Sequence, residues 1–192
     1  ARKDRLYCDS PSSTRTLETR RLVAWMTVEL VKLLAPLLPF TAEEAWAELP
    51  PGLREAPSVH LALWRPPHLS EVELEELGGW EPYLEIRRAA MKRLEEARAA
   101  GSIGSGLDAE VDLGVPEGMT GSALGESWAD FLIVSTVRTR VSDEPTVSVT
   151  PSGAPKCARC WKLLPDVGYD REFTDVCARC AGVLRETGHA GA

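Results

Sequence analysis

The sequence predicts a multi-domain protein that is mainly α-helical, with a small α/β part and a compact module built around four cysteines. Three observations predict this fold class. Apolar residues recur at helical spacing early in the chain, the spacing changes to alternation after the Gly- and Ser-rich stretch 101–106, and two Cys-x-x-Cys pairs lie within residues 157–180. The 192 residues are enough for two or three small domains.

The first region, residues 1–66, is predicted to be a helical bundle. Apolar side chains recur every three or four residues over 17–34, in a stripe wide enough to face a core. Two prolines at 36 and 39 end this helix. A second helix is predicted to begin at Thr41, whose hydroxyl forms a capping box with the carboxylate of Glu44, and to end at the Pro-Pro-Gly sequence 50–52.

Residues 67–80 are predicted to be a linker, because prolines precede an acidic segment that ends in two glycines. The α/β region then covers residues 81–150 and starts with a helix between Pro82 and Gly101. Within this helix we expect a surface ion pair of Glu85 and Arg88.

About three strands are predicted to follow this helix. Residues 107–113 alternate between apolar and polar side chains, as a strand with one buried face does. The run Phe131–Val137 is rich in β-branched residues, and Val147 and Val149 alternate again with polar neighbours. The sequence therefore predicts one long helix packed on a small sheet.

The last region, residues 151–192, carries the strongest motif. Two Cys-x-x-Cys pairs are separated by sixteen residues, which is the spacing of a zinc ribbon or knuckle whose ligands are Cys157, Cys160, Cys177 and Cys180. Four protein ligands leave no open position, so one structural Zn²⁺ is predicted. Disulfides or a redox dithiol are the alternatives. The region is too poor in apolar residues to fold by burial alone, so metal binding should stabilise it.

Composition argues against several other functions. The net charge of −7 excludes a broadly basic nucleic-acid binder, and any such contact must use local basic clusters. The three histidines lie in unrelated segments, and capping explains Glu43 and Glu44 better than acid–base catalysis. Cys8 is expected to be a half-buried apolar residue. The sequence shows no membrane span and no signal peptide, and five cysteines without an export signal suggest a reducing cytoplasm.

Several segments along nearly the whole chain resemble the C-terminal part of bacterial isoleucyl-tRNA synthetases, which are class I aminoacyl-tRNA synthetases. The similarity is carried, in order, by Lys3-Asp-Arg-Leu-Tyr7, Leu34-Ala-Pro-Leu-Leu-Pro-Phe-Thr-Ala-Glu-Glu-Ala-Trp46, Val59-His-Leu61, Ile103-Gly-Ser-Gly-Leu-Asp-Ala109, Phe131-Leu-Ile-Val-Ser135 and Lys156-Cys-Ala-Arg-Cys-Trp161. In that family Phe131–Ser135 corresponds to a strand, and the last segment begins a zinc module. A related finger ends formamidopyrimidine-DNA glycosylases, which lack the upstream segments.

This resemblance implies a role for each region. Residues 1–66 correspond to an anticodon-binding helical domain truncated at its start, 81–150 to a junction domain and 151–192 to the zinc module. The full-length enzyme uses ATP to join isoleucine to its tRNA. The catalytic and editing domains are absent here, so we expect this piece to be inactive alone and to need ATP and isoleucine only as part of the whole enzyme. Its expected partner is the anticodon side of isoleucine tRNA, and we expect a cytoplasmic monomer.

Two basic clusters are candidate tRNA contacts. An aromatic side chain beside basic residues suits an unstacked base and its phosphate, and the candidates are Trp161, Lys156, Arg159, Lys162, Arg87, Arg88 and Lys92. Alternatively, Trp161 packs on the knuckle and the helix face is merely solvated. Two other functions stay open at this point: a zinc-stabilised interaction module without an RNA role, and a DNA-repair-type finger that prefers duplex DNA.

Overall fold

A computed structural model of the chain describes residues 3–65, 79–121 and 127–188. The chain forms two compact units: Pro11–Ser70 is one, and Ala1–Ser10 together with Glu71–Ala192 is the other. Most of the predicted linker 67–80 lies outside the described residues. The predicted domain limits at 66, 80 and 150 therefore stay predictions.

The predicted fold class is confirmed: the described residues contain six helices, one small mixed sheet and a four-cysteine cluster. None of the helices in these ranges has both the length and the apolar content that a membrane crossing requires. The elements are α1 (Lys3–Tyr7), α2 (Thr14–Leu34), α3 (Pro39–Glu48), α4 (Glu81–Ala99), β1 (Ala109–Val115), α5 (Trp128–Leu132), β2 (Thr136–Val141), β3 (Thr146–Pro151) and α6 (Ala178–Glu186).

The helical unit is built on the contact between α2 and α3. Trp46 is fully buried and packs with Val31 and Val59, while its indole N–H donates to the carbonyl of Ala56 at 2.9 Å. Much of the apolar stripe of α2 is only half-covered within the described residues. Trp25, whose side chain is 50% exposed, contributes to an open apolar cavity of about 510 Å³ along that face.

The predicted capping box at Thr41 is wrong. Helix α3 begins two residues earlier, at Pro39, because proline has the φ angle of a first helical turn and needs no amide partner there. Its N-cap, Leu38, makes no side-chain cap hydrogen bond. The carboxylate of Glu43 instead accepts hydrogen bonds from the Ser58 hydroxyl at 2.8 Å and the Val59 amide at 3.1 Å. It therefore fixes the turn at Val59–Leu61.

The α/β part of the second unit has strand order β2-β1-β3, with β1 parallel to β2 and antiparallel to β3. Val111 lies opposite Val137 on one side and Val149 on the other. One face of α4 covers this sheet through buried side chains such as Ile86 and Leu94. The helix ends as predicted, with Gly101 in the left-handed region at φ +71°.

One sequence prediction in this region is wrong. The run Phe131–Val137 is not one strand: α5 continues to Leu132, Ile133 is left-handed at φ 60°, and β2 starts at Thr136. The helix forms because the Ser127 hydroxyl accepts a hydrogen bond from the Asp130 amide at 3.1 Å.

The close ion pair of Arg88 is with Glu81, at 2.6 Å. The hydrogen bond and charge of Glu81 raise the pKa of Arg88, and the charge of Glu85 raises it further, so the predicted favourable interaction of Glu85 with Arg88 is present. The strand predicted over 107–113 is confirmed, but it begins two residues later, at Ala109, because residues 106–108 form a 3₁₀ turn.

Candidate metal centre and adjoining surface

The two Cys-x-x-Cys pairs meet in one buried cluster. The four sulfur atoms all lie within 4.8 Å of one another, and the Sγ atoms of Cys160 and Cys177 are 3.9 Å apart. A tetrahedral zinc ion with bonds of about 2.3 Å needs roughly 3.8 Å between neighbouring sulfurs. The geometry and the all-sulfur donor set therefore fit Zn²⁺. In the described part of the chain this is the only group of metal-ligating side chains with such spacing.

Local backbone structure positions each pair. The Cys157 amide donates to the carbonyl of Lys162 at 2.9 Å, which closes the first knuckle. The amides of Cys160 and Cys177 point at the Cys157 sulfur, at 3.5 and 3.3 Å. Cys177 is the N-cap of α6, so Cys180 lies in the first turn of that helix. The contact of the Cys177 amide with the Cys157 sulfur thus links the two knuckles directly.

The thiols do not ionise equally without a cation. Hydrogen bonds from Cys177 and Cys180 hold the pKa of Cys160 well below its usual value. The hydrogen bond with Cys160 raises the pKa of Cys177 to about 11 and also raises the pKa of Cys180. Two of the four thiols therefore resist ionisation until a cation compensates the charge. Metal binding at this cluster is coupled to proton release for that reason.

Two arginines lie beside the sulfur cluster. Nη1 of Arg159 is 3.8 Å from the Cys180 sulfur. Burial acts to lower the pKa of Arg179, but the charges of Cys160, Cys180 and Asp9 outweigh this effect and raise it. The two guanidinium groups therefore lie where their positive charge offsets the negative charge that four thiolates would leave around Zn²⁺.

The same arginines bind the segment Lys3–Ser10. Arg159 donates to the carbonyls of Cys8 at 2.6 Å and Tyr7 at 2.9 Å, and Arg179 pairs with Asp9 at 2.9 Å. Cys8 is buried in the same apolar cluster as the four metal-site cysteines, which confirms that it is an apolar packing residue. Sequence reasoning missed this contact, since nothing in residues 3–10 indicates a partner about 150 positions later.

Lys162 does not lie on an exposed basic surface. Its side chain is only 10% exposed, and its ammonium group pairs with Asp130 on α5 at 2.7 Å. Burial acts to raise the pKa of Asp130, but the hydrogen bond and charge of Lys162 lower it below the usual value. The backbone next to Lys162 adds a further tie, because the Leu163 amide donates to the Ser135 hydroxyl at 2.7 Å. Lys162 thus joins the cysteine module to the α/β part.

Trp161 lies at the edge of the cysteine module with its side chain 57% exposed. Its backbone is in the left-handed region at φ 65°, a conformation that costs a side-chain-bearing residue about 1–2 kcal/mol relative to glycine. The ammonium group of Lys3 lies 5.5 Å from the centroid of its ring. The ring is not part of the buried cluster around the cysteines.

The remaining candidates differ in their surroundings. Arg87 donates to the carbonyl of Phe131 at 3.3 Å and lies over its ring, and Arg88 is held by Glu81. Lys92 and Lys156 are exposed. The structure therefore brings Arg87 and Lys162 to neighbouring residues of α5.

A family model described as the anticodon-binding domain of tRNA ligase matches residues 1–113. The chain belongs to this family. A second model, described as a zinc finger found in FPG and IleRS, matches residues 155–183. Together with the four-cysteine cluster, this match supports one structural zinc ion, as the cysteine spacing predicts. The anticodon-binding match and the finger match therefore cover both ends of the chain.

Curated relatives carry the same combination. An isoleucine–tRNA ligase of Gluconobacter oxydans is 40% identical over 188 residues, covering 95% of this chain and 19% of the relative. The enzymes of Fervidobacterium nodosum and Rhodopseudomonas palustris are 38% and 37% identical, covering 95% and 96% of this chain. The chain spans about a fifth of the length of these relatives. The resemblance to isoleucyl-tRNA synthetases is confirmed.

Proposed function

We propose that this chain is the tRNA-binding, C-terminal part of an isoleucyl-tRNA synthetase that recognises the anticodon side of isoleucine tRNA. The full-length enzyme joins isoleucine to that tRNA with ATP, and the piece itself has no ligase activity. The anticodon-binding match over 1–113 and the relatives at 37–40% identity support the proposal. A DNA-repair-type finger is not favoured, because the match extends far outside the finger. The monomeric state and the cytoplasmic location stay predictions.

We infer that Cys157, Cys160, Cys177 and Cys180 ligate the zinc ion. The burial of all four sulfurs and their spacing support this assignment. With every position filled by protein, the ion has no open site for water or substrate and performs no chemistry. It holds the surface on which Trp161 is displayed.

The observation that carries the tRNA role is the conformation and exposure of Trp161. A residue needed only to complete the knuckle would be glycine at φ 65°, since glycine adopts this conformation without a steric penalty. The chain instead has a large aromatic side chain there, more than half exposed, with the ammonium group of Lys3 5.5 Å from the centroid of its ring. An exposed ring of this kind provides a stacking platform for an unpaired RNA base.

Replacing Trp161 by glycine separates stacking from structure. We expect Trp161→Gly to keep the zinc ion and to leave the free energy of unfolding within about 1 kcal/mol of wild type, because the relieved strain offsets the lost contacts. Its affinity for isoleucine tRNA should fall by about 5- to 150-fold, since stacking contributes ~1–3 kcal/mol. Both are measured on the same preparation, by titration with labelled tRNA and by thermal unfolding.

Tyr169→Ala is the matched control, because Tyr169 is a 79% exposed aromatic residue of the same module. It should leave tRNA affinity unchanged. Equal affinity of wild type and Trp161→Gly at moderate salt would refute the stacking role. Equal affinity of the wild-type chain for cognate and non-cognate tRNA would refute the proposed recognition.

A further inference from the structure

A cavity of about 270 Å³ lies beside Trp161, within the unit formed by Ala1–Ser10 and Glu71–Ala192. Its walls come from three distant parts of the chain: the start of α1, the α5 region with the turn before β1, and the residue after Trp161. Its apolar walls are Leu107, Ala129 and Ile133. Sites for drug-sized ligands usually measure about 300–1,000 Å³, so this one suits a smaller flat group.

The charged walls of the cavity balance one another. Lys3 and Lys162 contribute two positive charges, and Asp4 and Asp130 contribute two negative ones. A neutral site of this kind does not select a phosphate group, which requires net positive charge. Lys162 and Asp130 are committed to each other at 2.7 Å, whereas Lys3 and Asp4 are 3.8 Å apart, beyond hydrogen-bond distance. The Asp4 carboxylate can therefore accept hydrogen bonds from a ligand.

Backbone strain is concentrated at the same place. Within the described residues, only two non-glycine residues have positive φ angles, Ile133 at 60° and Trp161 at 65°. Ile133 is β-branched, so this conformation is especially unfavourable for it. Its side chain, 44% exposed, forms a wall of the cavity, and Trp161 directly precedes another wall residue, Lys162. Strained residues persist where the surrounding structure holds them, and they cluster at binding sites.

We propose that this cavity binds one unstacked nucleobase of a single-stranded RNA loop, next to the base that stacks on Trp161. This inference rests on the proposed tRNA function. Asp4 accepts hydrogen bonds from N–H donors on the edge of the base, and the apolar walls pack against its ring. Lys3 lies between the two positions, since it lines the cavity and also contacts the Trp161 ring. It is placed to contact the phosphate that links the two nucleotides.

The test uses the anticodon stem-loop of an isoleucine tRNA in which one loop nucleotide at a time is replaced by an abasic residue. Ala129→Leu fills the cavity and should weaken binding of the intact RNA by about fivefold or more. For the one abasic RNA that lacks the base bound in the cavity, the Ala129→Leu variant and the wild type should have equal affinity. Ala89→Leu, an exposed position on α4, is the matched control and should bind like wild type.

Asp4→Asn tests the same site without adding volume. If only general electrostatics act, removing a negative charge strengthens the binding of RNA, which is itself negatively charged. Asp143→Asn, at an exposed position, is the control and should show this strengthening. The proposed contact predicts weaker binding for Asp4→Asn instead, with the loss confined to RNA that retains the same loop base. Zinc content and thermal unfolding show whether each variant is folded. If Ala129→Leu does not fold, the result for Asp4→Asn alone decides whether the cavity binds a base.

The outcomes separate the two proposals. If Trp161→Gly weakens binding but both cavity variants bind like their controls, the nucleobase site is refuted and the tRNA function stands. If wild type and all variants bind the stem-loop equally weakly, both proposals fail.

Discussion

The most informative single substitution is Lys162→Met, because the sequence predicts an RNA contact for Lys162 and the structure buries it in an ion pair. Methionine keeps the length and most of the apolar volume of lysine and removes the charge. Asp130 then loses the ammonium group with which it pairs at 2.7 Å. The expected effect is therefore on stability, localised where the cysteine module meets α5.

The magnitude follows from the burial of the two side chains, 10% exposed for Lys162 and 23% exposed for Asp130. Breaking a fully buried pair by removing one partner costs about 3–5 kcal/mol, and a fully exposed pair contributes only about 0–1 kcal/mol. With partial solvent screening, we expect a loss of about 2–3 kcal/mol. Replacing Asp130 by Asn in the same chain removes the carboxylate that has lost its ammonium partner and should recover part of this loss.

Native-state hydrogen exchange measures the effect at the right place. The Leu163 amide donates to the Ser135 hydroxyl, so its exchange reports opening of this contact. Its exchange should accelerate by about 30- to 150-fold in Lys162→Met, which corresponds to 2–3 kcal/mol. Lys92→Met, at an exposed lysine of α4, should change stability by less than about 0.5 kcal/mol.

The pH dependence gives a second check on the same pair. The pKa of Asp130 in the folded protein lies below the ordinary aspartate value of 3.8. The stability that the pair contributes is therefore fully present above pH 3.8 and is lost as the pH falls through the lower folded value. The stability difference between wild type and Lys162→Met should narrow in that range. This reasoning would be refuted if Lys162→Met left exchange of the Leu163 amide unchanged and weakened tRNA binding as much as Trp161→Gly does. Lys162 would then be an RNA contact.

Three further predictions concern other contacts. Chelation should remove one equivalent of zinc, measured by metal analysis, and abolish the protection of amides around the four cysteines from exchange. Two disulfides found under native reducing conditions would contradict the zinc site. Arg159→Ala should raise amide exchange in Lys3–Ser10 by about tenfold or more, because it removes two hydrogen bonds from a charged donor, and Arg171→Ala should not. Gly114→Ala should lower the free energy of unfolding, measured by thermal unfolding, by about 1–3 kcal/mol, since the new Cβ would clash with Oγ1 of Thr146.

Periodic patterns predicted the fold well where one face of an element is buried. The long helices α2 and α4 and the strand at Val147–Val149 follow from spacing alone, because burial imposes that spacing. The metal site followed from the cysteines, since the ion dictates both their number and their separation. Such features depend on local geometry that sequence spacing records directly.

The errors arose where a short local signal competes with a stronger one. The β-branched run Phe131–Val137 indicated a strand, but the Ser127 cap and the buried pair Trp128 and Leu132 start a helix first. The RNA contact of Lys162 stays a prediction, but its ion pair with Asp130, which lies 32 positions earlier, was not predicted. Charge complementarity over such separations leaves no periodic trace in a single sequence.

The contact between Lys3–Ser10 and the cysteine module also bears on synthesis of the chain. Arg159 lies 151 residues after Cys8, and at about 5–20 residues per second this separation means roughly 8–30 s of translation. During that time α1 has only five residues, too few to hold a helix without a partner, and the Cys8 thiol faces solvent. The earliest-made segment of this unit thus becomes protected only after the last cysteine leaves the ribosome, and until then it is open to proteases and oxidants.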